Sequence, residues 1–507
     1  MQTQANVSTI LDGNLEAGRA DKTAIITATN EKWTFSQLLD VTTSVTAHLV
    51  DLGVRRGERV LLVLDDTPAF PAAFLGAMRM GAVPIPVNFL ARADDFGYFL
   101  DDSYAVAAIV DAAFLSSVGP QLASRPHVVG IVANGEGLEI SFDDWLKAPN
   151  GEFEPVATHV DDPAFWLYSS GSTGLPKAVM HRHASLPETA RLYAEPTLGI
   201  TEDDIAFSST KMFHAYGLGN NLTFPLSVGA TSVYLTGRPT PQALLERVAT
   251  HRPTLYFSVP ALFNAILSSD EFETVDWSSV RLAISAAEPL PPEIWRRFHE
   301  RTGVEILDGL GSTEMLHIYC SNRSGEVRPG TSGVAVEGYE LEIRDPESQL
   351  VAPGEAGELW VNGPTSLTGY WHQAERTRAK LMGEWFASGD RYHMDEDGYL
   401  TYEGRVDDMM KIGGLWVSPI EIENRLMEHS AVNEGAVVAV EVENVSRIKA
   451  FVILNDGFGA EESLVSELQD WCRQTLQRYQ FPHIVEFVSD FPRTATGKTQ
   501  RFRLRET

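Results

Sequence analysis

The chain has 507 residues, 44% hydrophobic and 21% charged, a composition typical of a folded globular protein with about two to four domains or subdomains. Its formal net charge of −29 argues against nucleic acids and anionic membranes as general partners, although a locally positive site could still bind a nucleotide. Cys320 and Cys472 are far apart and indicate neither a disulfide framework nor a cysteine-based zinc site. A polar N-terminal stretch and the lack of a membrane-length apolar run predict a cytoplasmic enzyme.

Helices and strands alternate along the first third of the sequence. Apolar residues at helical spacing predict a helix over residues 35–52, ended by Gly53, and a second helix over 68–80. Strands are predicted at residues 59–64, 82–87, 106–110 and 128–132. This alternation is typical of a layered α/β core.

The most distinctive segment is residues 168–177, which follows an apolar, aromatic strand predicted at 164–168. Gly171 and Gly174 let backbone N–H groups approach an anion, the hydroxyls add donors, and Lys177 adds a positive charge. The segment is not a P-loop, because two residues separate Gly174 from Lys177. It predicts a phosphate-binding loop; the alternative is a Ser/Gly-rich surface loop or linker.

Central strands lead into loops of small residues that carry an acid. These strands are predicted at residues 255–259, 281–285 and 305–308. The second leads to Glu288 and the third to Glu314, the latter through a loop predicted over 309–314. Because ligands collect at the carboxyl ends of strands in α/β sheets, these loops predict a binding site.

Two histidine-containing segments allow more than one interpretation. His181 and His183 could bind a metal, but their i,i+2 spacing and the missing carboxylate partner favour a strand-to-helix junction. His214 and Tyr216 belong either to an ordinary turn at a helix start or to a pocket for a flat, apolar substrate.

A β-rich subdomain is predicted from about residue 332, where short alternating segments are separated by Gly and Pro turns. Asp390 is predicted to lie in a loop, and residues 398–403 form a hairpin-like segment. A compact unit follows, with helices and strands predicted at residues 419–427, 434–441, 448–454 and 461–478. The basic segment 492–501 is either a solvated tail or an anion-binding segment, and its charge on an acidic protein favours the second.

In this order, the segments resemble the adenylate-forming superfamily of acyl- and aryl-CoA synthetases, luciferases and nonribosomal adenylation domains. The segments that carry the resemblance are 168–177, 309–314, 388–390, 404–414 and 492–498. It covers residues 20–502, and the sequence at 308–317 and 414–419 looks most like the benzoate–CoA ligase subgroup. The resemblance implies an α/β fold with a large multi-subdomain N-terminal domain (1–405), built of layered α/β sheets and the β-rich subdomain. A small, mobile α+β C-terminal domain (406–507) completes it.

The resemblance also implies a two-step reaction that uses ATP, Mg²⁺ and coenzyme A. A carboxylate attacks the α-phosphate of ATP and gives an acyl-adenylate and pyrophosphate. A thiol, normally that of coenzyme A, then attacks the acyl carbon and releases AMP. The implied partners are a small aromatic carboxylic acid, ATP and CoA or a carrier protein, without nucleic acid or membrane, and a homodimer is possible.

Site roles follow from matching positions in the family's motifs. The residues that match the family's loop for the β- and γ-phosphates are Ser169, Ser172, Thr173 and Lys177. The α-phosphate contact and the magnesium ligand are matched by Thr313 and Glu314. The residues that match the family's adenine-binding positions are Ala287, Glu288, Pro289, Asp308 and Leu310. Asp390 and Arg405 match the residues that hold the ribose hydroxyls. Lys498 matches the catalytic lysine of the first half-reaction.

The other roles concern the acid, the thiol and the hinge. The substrate pocket is predicted at His214, Ala215, Tyr216, Ser285, Ala286, Gly309 and Gly311, where small residues opposite aromatic ones would leave a flat slot. Gly413 and Gly414 match the pantetheine passage, and Asp407 matches the hinge. Leu310 replaces a residue that is often aromatic, so it can offer adenine only aliphatic contact.

We therefore predict an ATP-dependent aryl-CoA ligase for a benzoate-type acid. One alternative transfers the aryl group to the phosphopantetheine thiol of a carrier protein, and another accepts a medium-chain or alicyclic acid. A third is a nucleotide-binding relative without ligase activity; the presence of Lys498, Glu314, Asp390 and Arg405 argues against it.

Overall fold

A computed structural model describes residues 5–147, 153–171, 174–405, 409–412, 415–442, 445–477, 479–493 and 499–505. Within these ranges no helix is both long enough and apolar enough to cross a bilayer.

A parallel sheet forms early in the chain from short apolar strands that alternate with helices. The helices up to residue 147 are α1 (Ile10–Glu16), α2 (Phe35–Asp51), α3 (Ala69–Arg79), α4 (Ala93–Ser103), α5 (Leu115–Ala123) and α6 (Phe142–Lys147). The strands are β1 (Thr23–Ile26), β2 (Lys32–Thr34), β3 (Arg59–Val63), β4 (Val83–Pro86), β5 (Ala105–Asp111), β6 (Val129–Ala133) and β7 (Ile140–Ser141). Strands β3 to β7 form the parallel sheet in the order β4-β3-β5-β6-β7, whereas β1 and β2 belong to the larger sheet described below. The predicted helices and strands of this region are confirmed to within two residues at each end.

The start of α2 shows why the helix begins where the sequence predicts. The hydroxyl of Thr34 accepts a hydrogen bond from the backbone N–H of Gln37 at 3.2 Å, and the Gln37 side chain accepts one from the Thr34 N–H at 2.8 Å. This reciprocal cap satisfies two N–H groups that have no partner within the helix.

The central part of the chain adds a hairpin and most of a larger sheet. Its strands are β8 (Pro163–Gly171), β9 (Gly174–Arg182), β10 (Ile205–Ser208), β11 (Thr231–Val233), β12 (Leu255–Ser258), β13 (Leu282–Ser285), β14 (Ile306–Gly311) and β15 (Ile318–Ser321). Its helices are α7 (Ser185–Thr189), α8 (Ala215–Leu218), α9 (Phe224–Val228), α10 (Pro241–His251), α11 (Pro260–Leu267) and α12 (Pro292–Thr302). A π-helical turn, Gly219–Thr223, joins α8 to α9.

The β-rich region follows. It contains β16 (Val334–Ala335), β17 (Glu340–Arg344), β18 (Ala356–Asn362), β19 (Gly369–Tyr370), α13 (Ala374–Lys380), β20 (Leu381–Met382), β21 (Trp385–Met394) and β22 (Leu400–Arg405). The larger sheet has the order β16-β15-β14-β13-β12-β10-β11-β1-β2, and a second sheet has the order β17-β18-β21-β20, with β22 paired to β21. Strand β19 joins the β8–β9 hairpin.

The C-terminal unit has its own small sheets. It consists of β23 (Met410–Ile412), β24 (Leu415–Val417), α14 (Pro419–Met427), β25 (Val432–Val442), β26 (Val445–Leu454), α15 (Glu462–Arg473), β27 (Ile484–Phe487) and α16 (Arg501–Leu504). The predicted helix over 419–427 is confirmed. The helix predicted over 461–478 is shorter, because α15 ends at Arg473.

Two loop predictions are wrong. Asp390 lies within β21, where it pairs with Arg405 of β22. Gly309, Leu310 and Gly311 continue β14 as a strand, because they pair antiparallel with β15. The sequence suggested loops because glycine is unfavourable in strands, but neighbouring strands supply the hydrogen bonds that hold these residues extended.

The larger sheet gathers its functional loops at one edge. Strands β10, β12, β13 and β14 run parallel, so their carboxyl ends lie together. In register, Ser258 of β12 lies beside Ser285 of β13, which lies beside Asp308 of β14. This edge is where α/β sheets usually bind ligands, and it carries the segments singled out in the sequence.

Candidate active site

The segment predicted as a phosphate loop lies mostly in the β8–β9 hairpin: residues 168–171 belong to β8 and residues 174–177 to β9, so the loop prediction is wrong for these residues. Ser169 lies opposite Lys177 in the antiparallel register. Helix α4 contacts both arms: the hydroxyl of Tyr98 donates to the carbonyl of Pro176 at 2.8 Å, and the hydroxyl of Tyr168 donates to Asp102 Oδ2 at 2.6 Å. The hairpin arms are therefore anchored to a helix far away in sequence, which the sequence did not suggest.

Several predicted site residues lie outside the described part of the chain. They are Ser172, Thr173, Asp407, Gly413, Gly414 and Lys498. Their roles stay predictions.

Lys177 and Glu314 form the charged centre of the site. Lys177 Nζ donates to Glu314 Oε1 at 2.7 Å, and both side chains are largely buried. Burial alone would raise the pKa of Glu314, but the Lys177 charge and the hydrogen bonds from Lys177 and Tyr370 outweigh it and lower that pKa. Glu314 is therefore ionised at neutral pH and paired with a cation, an arrangement that suits an anionic ligand and its counter-ion.

His181 ties the hairpin to the segment that carries Thr313 and Glu314. Its Nε2 lies 2.8 Å from the carbonyl oxygen of Thr313, and burial lowers the pKa of His181 to about 4. The ring is therefore neutral at pH 7 and donates from Nε2. His183 Nδ1 accepts the backbone N–H of Val7 at 3.3 Å. Both histidines lie where β9 leads into α7, as the strand-to-helix interpretation predicts. Among the described residues, no group of three or more His, Cys, Asp or Glu side chains is arranged to hold a metal ion.

Asp390 and Arg405 meet across two paired strands. Arg405 Nη1 lies 3.1 Å from Asp390 Oδ1. Gly389, which precedes Asp390, has φ of +80°, in the left-handed region that favours glycine. The predicted ribose-binding pair is thus adjacent, although on strands rather than in a loop.

Tyr319 lies among these charged groups and was not found from the sequence. Its phenol is fully buried, and its pKa is raised by burial and then by Asp390, with smaller influences from Glu314 and Arg405. These four residues, from β15, β21, β22 and the segment after β14, therefore share one electrostatic environment. No local signal in the sequence marks Tyr319, because only the pairing of β14 with β15 brings it here.

Asp308 is an unusual buried carboxyl within β14. Its Oδ2 accepts the backbone N–H of Leu290 at 3.3 Å, and its Oδ1 has no hydrogen-bond partner among the described residues. Burial raises the pKa of Asp308 well above its ordinary value. Ala287 has φ of +78°, a conformation that costs a non-glycine residue of order 1 kcal/mol or more. The turn predicted for adenine therefore combines backbone strain with an unsatisfied acceptor, features common at binding sites.

The predicted acid pocket contains a histidine, His317, to which no sequence motif gave a role. His317 Nε2 lies 3.2 Å from the carbonyl oxygen of Tyr216, and the two rings are 5.5 Å apart. Burial lowers the pKa of His317 to about 3, so the ring is neutral at pH 7. The hydroxyl of Tyr216 donates to the carbonyl of Ile284 at 3.1 Å. The only signal for His317 in the sequence was its position three residues after Glu314.

The small residues near this pocket do not all leave open space. A Cβ at Gly311 would come within 2.6 Å of the His317 carbonyl oxygen, and one at Gly309 within 2.9 Å of the Ile318 side chain. At these two positions glycine makes room for the neighbouring strand. Ala286 and Ser285 are buried at the end of β13, and the Ser285 hydroxyl has no hydrogen-bond partner among the described residues. Ala215 and His214 are partly exposed at the start of α8.

Buried charges fix the segment that carries His214 and Tyr216. Lys211 Nζ pairs with Asp65 Oδ1 at 2.8 Å, and Asp66 Oδ1 accepts the backbone N–H of Met212 at 3.1 Å. Asp65 and Asp66 follow β3, so they link the carboxyl end of the first parallel sheet to the pocket segment. No local signal in the sequence indicates this link.

Comparison with known proteins agrees with this geometry. The model of the AMP-binding enzyme family matches residues 14–371, and the model of the AMP-binding enzyme C-terminal domain matches 421–498. The chain is 45% identical to the benzoate–CoA ligase of Thauera aromatica, over 98% of this chain and 94% of that protein. It is 39% identical to the 4-hydroxybenzoate–CoA/benzoate–CoA ligase of Rhodopseudomonas palustris, over 98% and 93% of the two chains.

A solved structure resembles this one throughout. The benzoate CoA ligase of Burkholderia xenovorans LB400 superposes with a TM-score of 0.93 at 43% identity, covering 99% of this chain and 100% of that one. The match includes both the large N-terminal part and the small C-terminal part. The chain therefore belongs to the AMP-binding enzyme family, within the adenylate-forming superfamily.

Proposed function

We propose that this protein is an ATP-dependent aryl-CoA ligase that joins a benzoate-type acid to coenzyme A through an acyl-adenylate. The observation that carries the proposal is the buried Lys177–Glu314 pair beside the Asp390–Arg405 pair. Together they offer a cation for phosphate oxygens and carboxylates for a metal ion and for hydroxyls. The full-length similarity to ligases named for benzoate and hydroxybenzoate supports the aryl acid.

Lys177 and Glu314 are proposed to bind different parts of the metal-bound triphosphate. The Lys177 ammonium can bind β- and γ-phosphate oxygens, with Ser169, Ser172 and Thr173 as hydroxyl donors. Glu314 fits a Mg²⁺ ligand, because Mg²⁺ prefers oxygen and is commonly bound by one or two carboxylates together with substrate phosphates. When bound, Mg²⁺ would neutralise phosphate charge. The lowered pKa of Glu314 supports this role, since the carboxyl is already ionised at neutral pH.

The nucleoside and α-phosphate contacts complete the nucleotide site. Thr313 is proposed to contact the α-phosphate, and Asp390 with Arg405 the ribose hydroxyls. The adenine is assigned to the surroundings formed by Ala287, Glu288, Pro289, Asp308 and Leu310. The partnerless Oδ1 of Asp308 supports this assignment, because a nearby donor would reduce the cost of its burial.

The first half-reaction brings two anions together. The acid's carboxylate oxygen attacks the α-phosphorus, the bond to the pyrophosphate oxygen breaks, and an acyl-adenylate forms. Lys498 is proposed as the cation that offsets the developing charge, and loss of such a contact typically costs about 10²–10³ in rate. The acid's ring would pack against Tyr216, with Ala215, Ser285 and Ala286 around it.

The second half-reaction is a thiol substitution at the acyl carbon. The sulfur of CoA attacks, AMP leaves, and the thiol proton is released. Gly413 and Gly414 are proposed to leave room for the pantetheine arm, and Asp407 to act as the hinge between domains 1–405 and 406–507. A homodimer remains a prediction.

The proposal is tested first by ATP–pyrophosphate exchange. The panel contains benzoate, hydroxy-, amino- and halobenzoates, cyclohexanecarboxylate, cinnamate and hexanoate. Exchange with at least one benzoate, and little with hexanoate, is expected. Exchange with hexanoate or cyclohexanecarboxylate alone would contradict the aryl assignment, and no exchange with any acid would contradict the adenylation.

The acceptor is tested separately with the preferred acid. Thioester formation is compared between CoA and a purified phosphopantetheinylated carrier protein. We expect CoA to be the better acceptor. Transfer to the carrier protein alone would favour the alternative in which this enzyme loads a carrier.

A further inference from the structure

Tyr370 is held in place by contacts on both sides of its backbone. It lies in β19 opposite Val179 of β9, and its N–H donates to the hydroxyl of Thr377 at 3.0 Å. The next residue, Trp371, donates its N–H to the carbonyl of Ala178 at 3.0 Å. The side chain is almost fully buried. The position of the phenol is therefore fixed by the hairpin that carries Lys177.

The phenol contacts both members of the charged pair. Its hydroxyl donates to Glu314 Oε1 at 2.9 Å, the same oxygen that accepts Lys177 Nζ. Lys177 Nζ also lies 3.3 Å from the Tyr370 oxygen and 4.5 Å from the centre of its ring. The hydroxyl thus donates to the carboxylate and accepts from the ammonium, while the ring face attracts the cation.

We propose that Tyr370 is a positioning residue of the nucleotide site, where its hydroxyl orients Glu314 and Lys177 for the metal-bound triphosphate. The inference rests on the proposed function, which assigns triphosphate and Mg²⁺ to these two side chains. Nothing in the sequence motifs assigned a role to Tyr370.

The contacts explain why a hydroxyl is needed here. When Lys177 turns towards a phosphate, Glu314 loses part of its interaction with its buried cation. The hydrogen bond from Tyr370 remains and keeps the carboxylate in the orientation it has before the ligand binds. A phenyl ring at the same place would keep the packing and the attraction for the ammonium but would let the carboxylate rotate.

The test compares two nucleotides on Tyr370→Phe. Binding of α,β-methylene-ATP with Mg²⁺ and of AMP without metal is measured by titration calorimetry on the full chain. Loss of a hydrogen bond to a charged group predicts about tenfold weaker binding of the triphosphate analogue. AMP lacks the β- and γ-phosphates, so its affinity is expected to change less than about twofold by the same argument. The Mg²⁺ concentration for half-maximal analogue binding is expected to rise.

Tyr399→Phe is the matched control. Tyr399 is also buried and donates its hydroxyl to a backbone carbonyl, that of Glu326, at 2.9 Å, but it does not belong to the proposed nucleotide site. We expect its variant to bind both nucleotides as the wild type does. A second variant, Thr377→Val, removes the acceptor of the Tyr370 N–H and is expected to weaken analogue binding less, in the same ligand-selective way. Thr377→Val takes the place of Tyr370→Phe in the test if Tyr370→Phe does not fold.

The possible results separate the inference from the function on which it rests. Selective loss of analogue binding in Tyr370→Phe supports the inference. Unchanged analogue affinity, or an equal loss for analogue and AMP, would overturn it while leaving the ATP site intact. A wild-type protein that binds neither nucleotide would overturn the proposed function and the inference with it.

Discussion

At the scale of single residues, the clearest feature is a lysine held by a carboxylate and an aromatic ring. Lys177 has Glu314 at 2.7 Å and the Tyr370 ring at 4.5 Å. Lys449 of the C-terminal unit has the same kind of environment, with Glu486 at 2.8 Å and the Phe451 ring at 4.4 Å. The two lysines share these distances, although Glu486 is about half exposed and Glu314 is largely buried, so Lys449 is a control for the contacts and not for the burial of the carboxylate.

Lys177→Met is expected to lower ATP–pyrophosphate exchange by about 10²-fold, because it removes a cation from the charge that develops on the phosphates. Lys449→Met removes an ion pair of similar length away from that charge and is expected to leave exchange within about threefold of wild type by the same reasoning. The measurement is the ATP–pyrophosphate exchange rate of each variant and of the wild type at saturating acid, with folding checked by circular dichroism. Equal losses in both variants would contradict the role given to Lys177.

At the scale of elements, helix α4 supports the hairpin that carries the phosphate segment. The helix was not predicted from the sequence, yet Tyr98 contacts the carbonyl next to Lys177 and Asp102 accepts from Tyr168. These contacts join residues 66 and 78 positions apart. A local motif can indicate phosphate binding, but it does not indicate which distant helix holds the motif in place.

Tyr98→Phe is expected to raise the KM for ATP about three- to tenfold, since a partly buried hydrogen bond contributes about 1 kcal/mol and its loss loosens the hairpin. The KM for the acid should stay near its wild-type value, because the acid pocket is built on other elements. Steady-state kinetics with each substrate varied in turn separates the two constants. A parallel rise in both would indicate general loosening and not a local effect on the hairpin.

Prediction from the sequence succeeded for elements with a strong local signal. Helix α14 begins at Pro419 and ends at Met427 as predicted, since proline favours the first turn of a helix and apolar spacing marks its inner face. It failed for β14, where Gly309 and Gly311 suggested a loop. There the antiparallel partner β15 overrides the weak strand preference of glycine, and that partner is defined only by the sheet.

At the scale of the whole molecule, buried carboxyls join the two main sheets. Asp66 follows β3 of the first parallel sheet and contacts Met212 and Asn221, which follow β10 of the larger sheet. Burial raises the pKa of Asp66 to about 7, although Lys211 opposes the change, and burial also raises the pKa of Asp111 to about 7. Asp66 at this junction and Asp111 at the end of β5 therefore titrate near neutral pH.

This junction gives the free energy of unfolding a defined pH dependence. A carboxyl whose pKa is raised on folding favours the folded state fully below its unfolded pKa of about 4, and this stabilisation is lost as pH rises through about 7. Asp66→Asn does not titrate. Relative to wild type, the variant should therefore gain about 3 kcal/mol between pH 5 and pH 8, because the wild type loses about 1.4 kcal/mol for each step of one in pH until the folded carboxyl ionises.

Urea denaturation at the two pH values measures this difference. Asp203→Asn, at an exposed aspartate, is the control and is expected to follow the wild type at both. If Asp66→Asn instead parallels the wild type between pH 5 and pH 8, Asp66 is ionised throughout that range and the assignment of the titrating group is wrong.

Local features of the sequence indicated the alternation of helices and strands, the phosphate-type segment, the signature around Glu314 and the family. These depend on apolar spacing, turn residues and short motifs, which are local. Long-range packing brings Tyr370 and Tyr319 to the charged centre, places His317 against Tyr216, and joins Asp65 and Asp66 to the pocket segment. The physical reason is that such contacts follow from the order and register of strands, which local preferences do not encode.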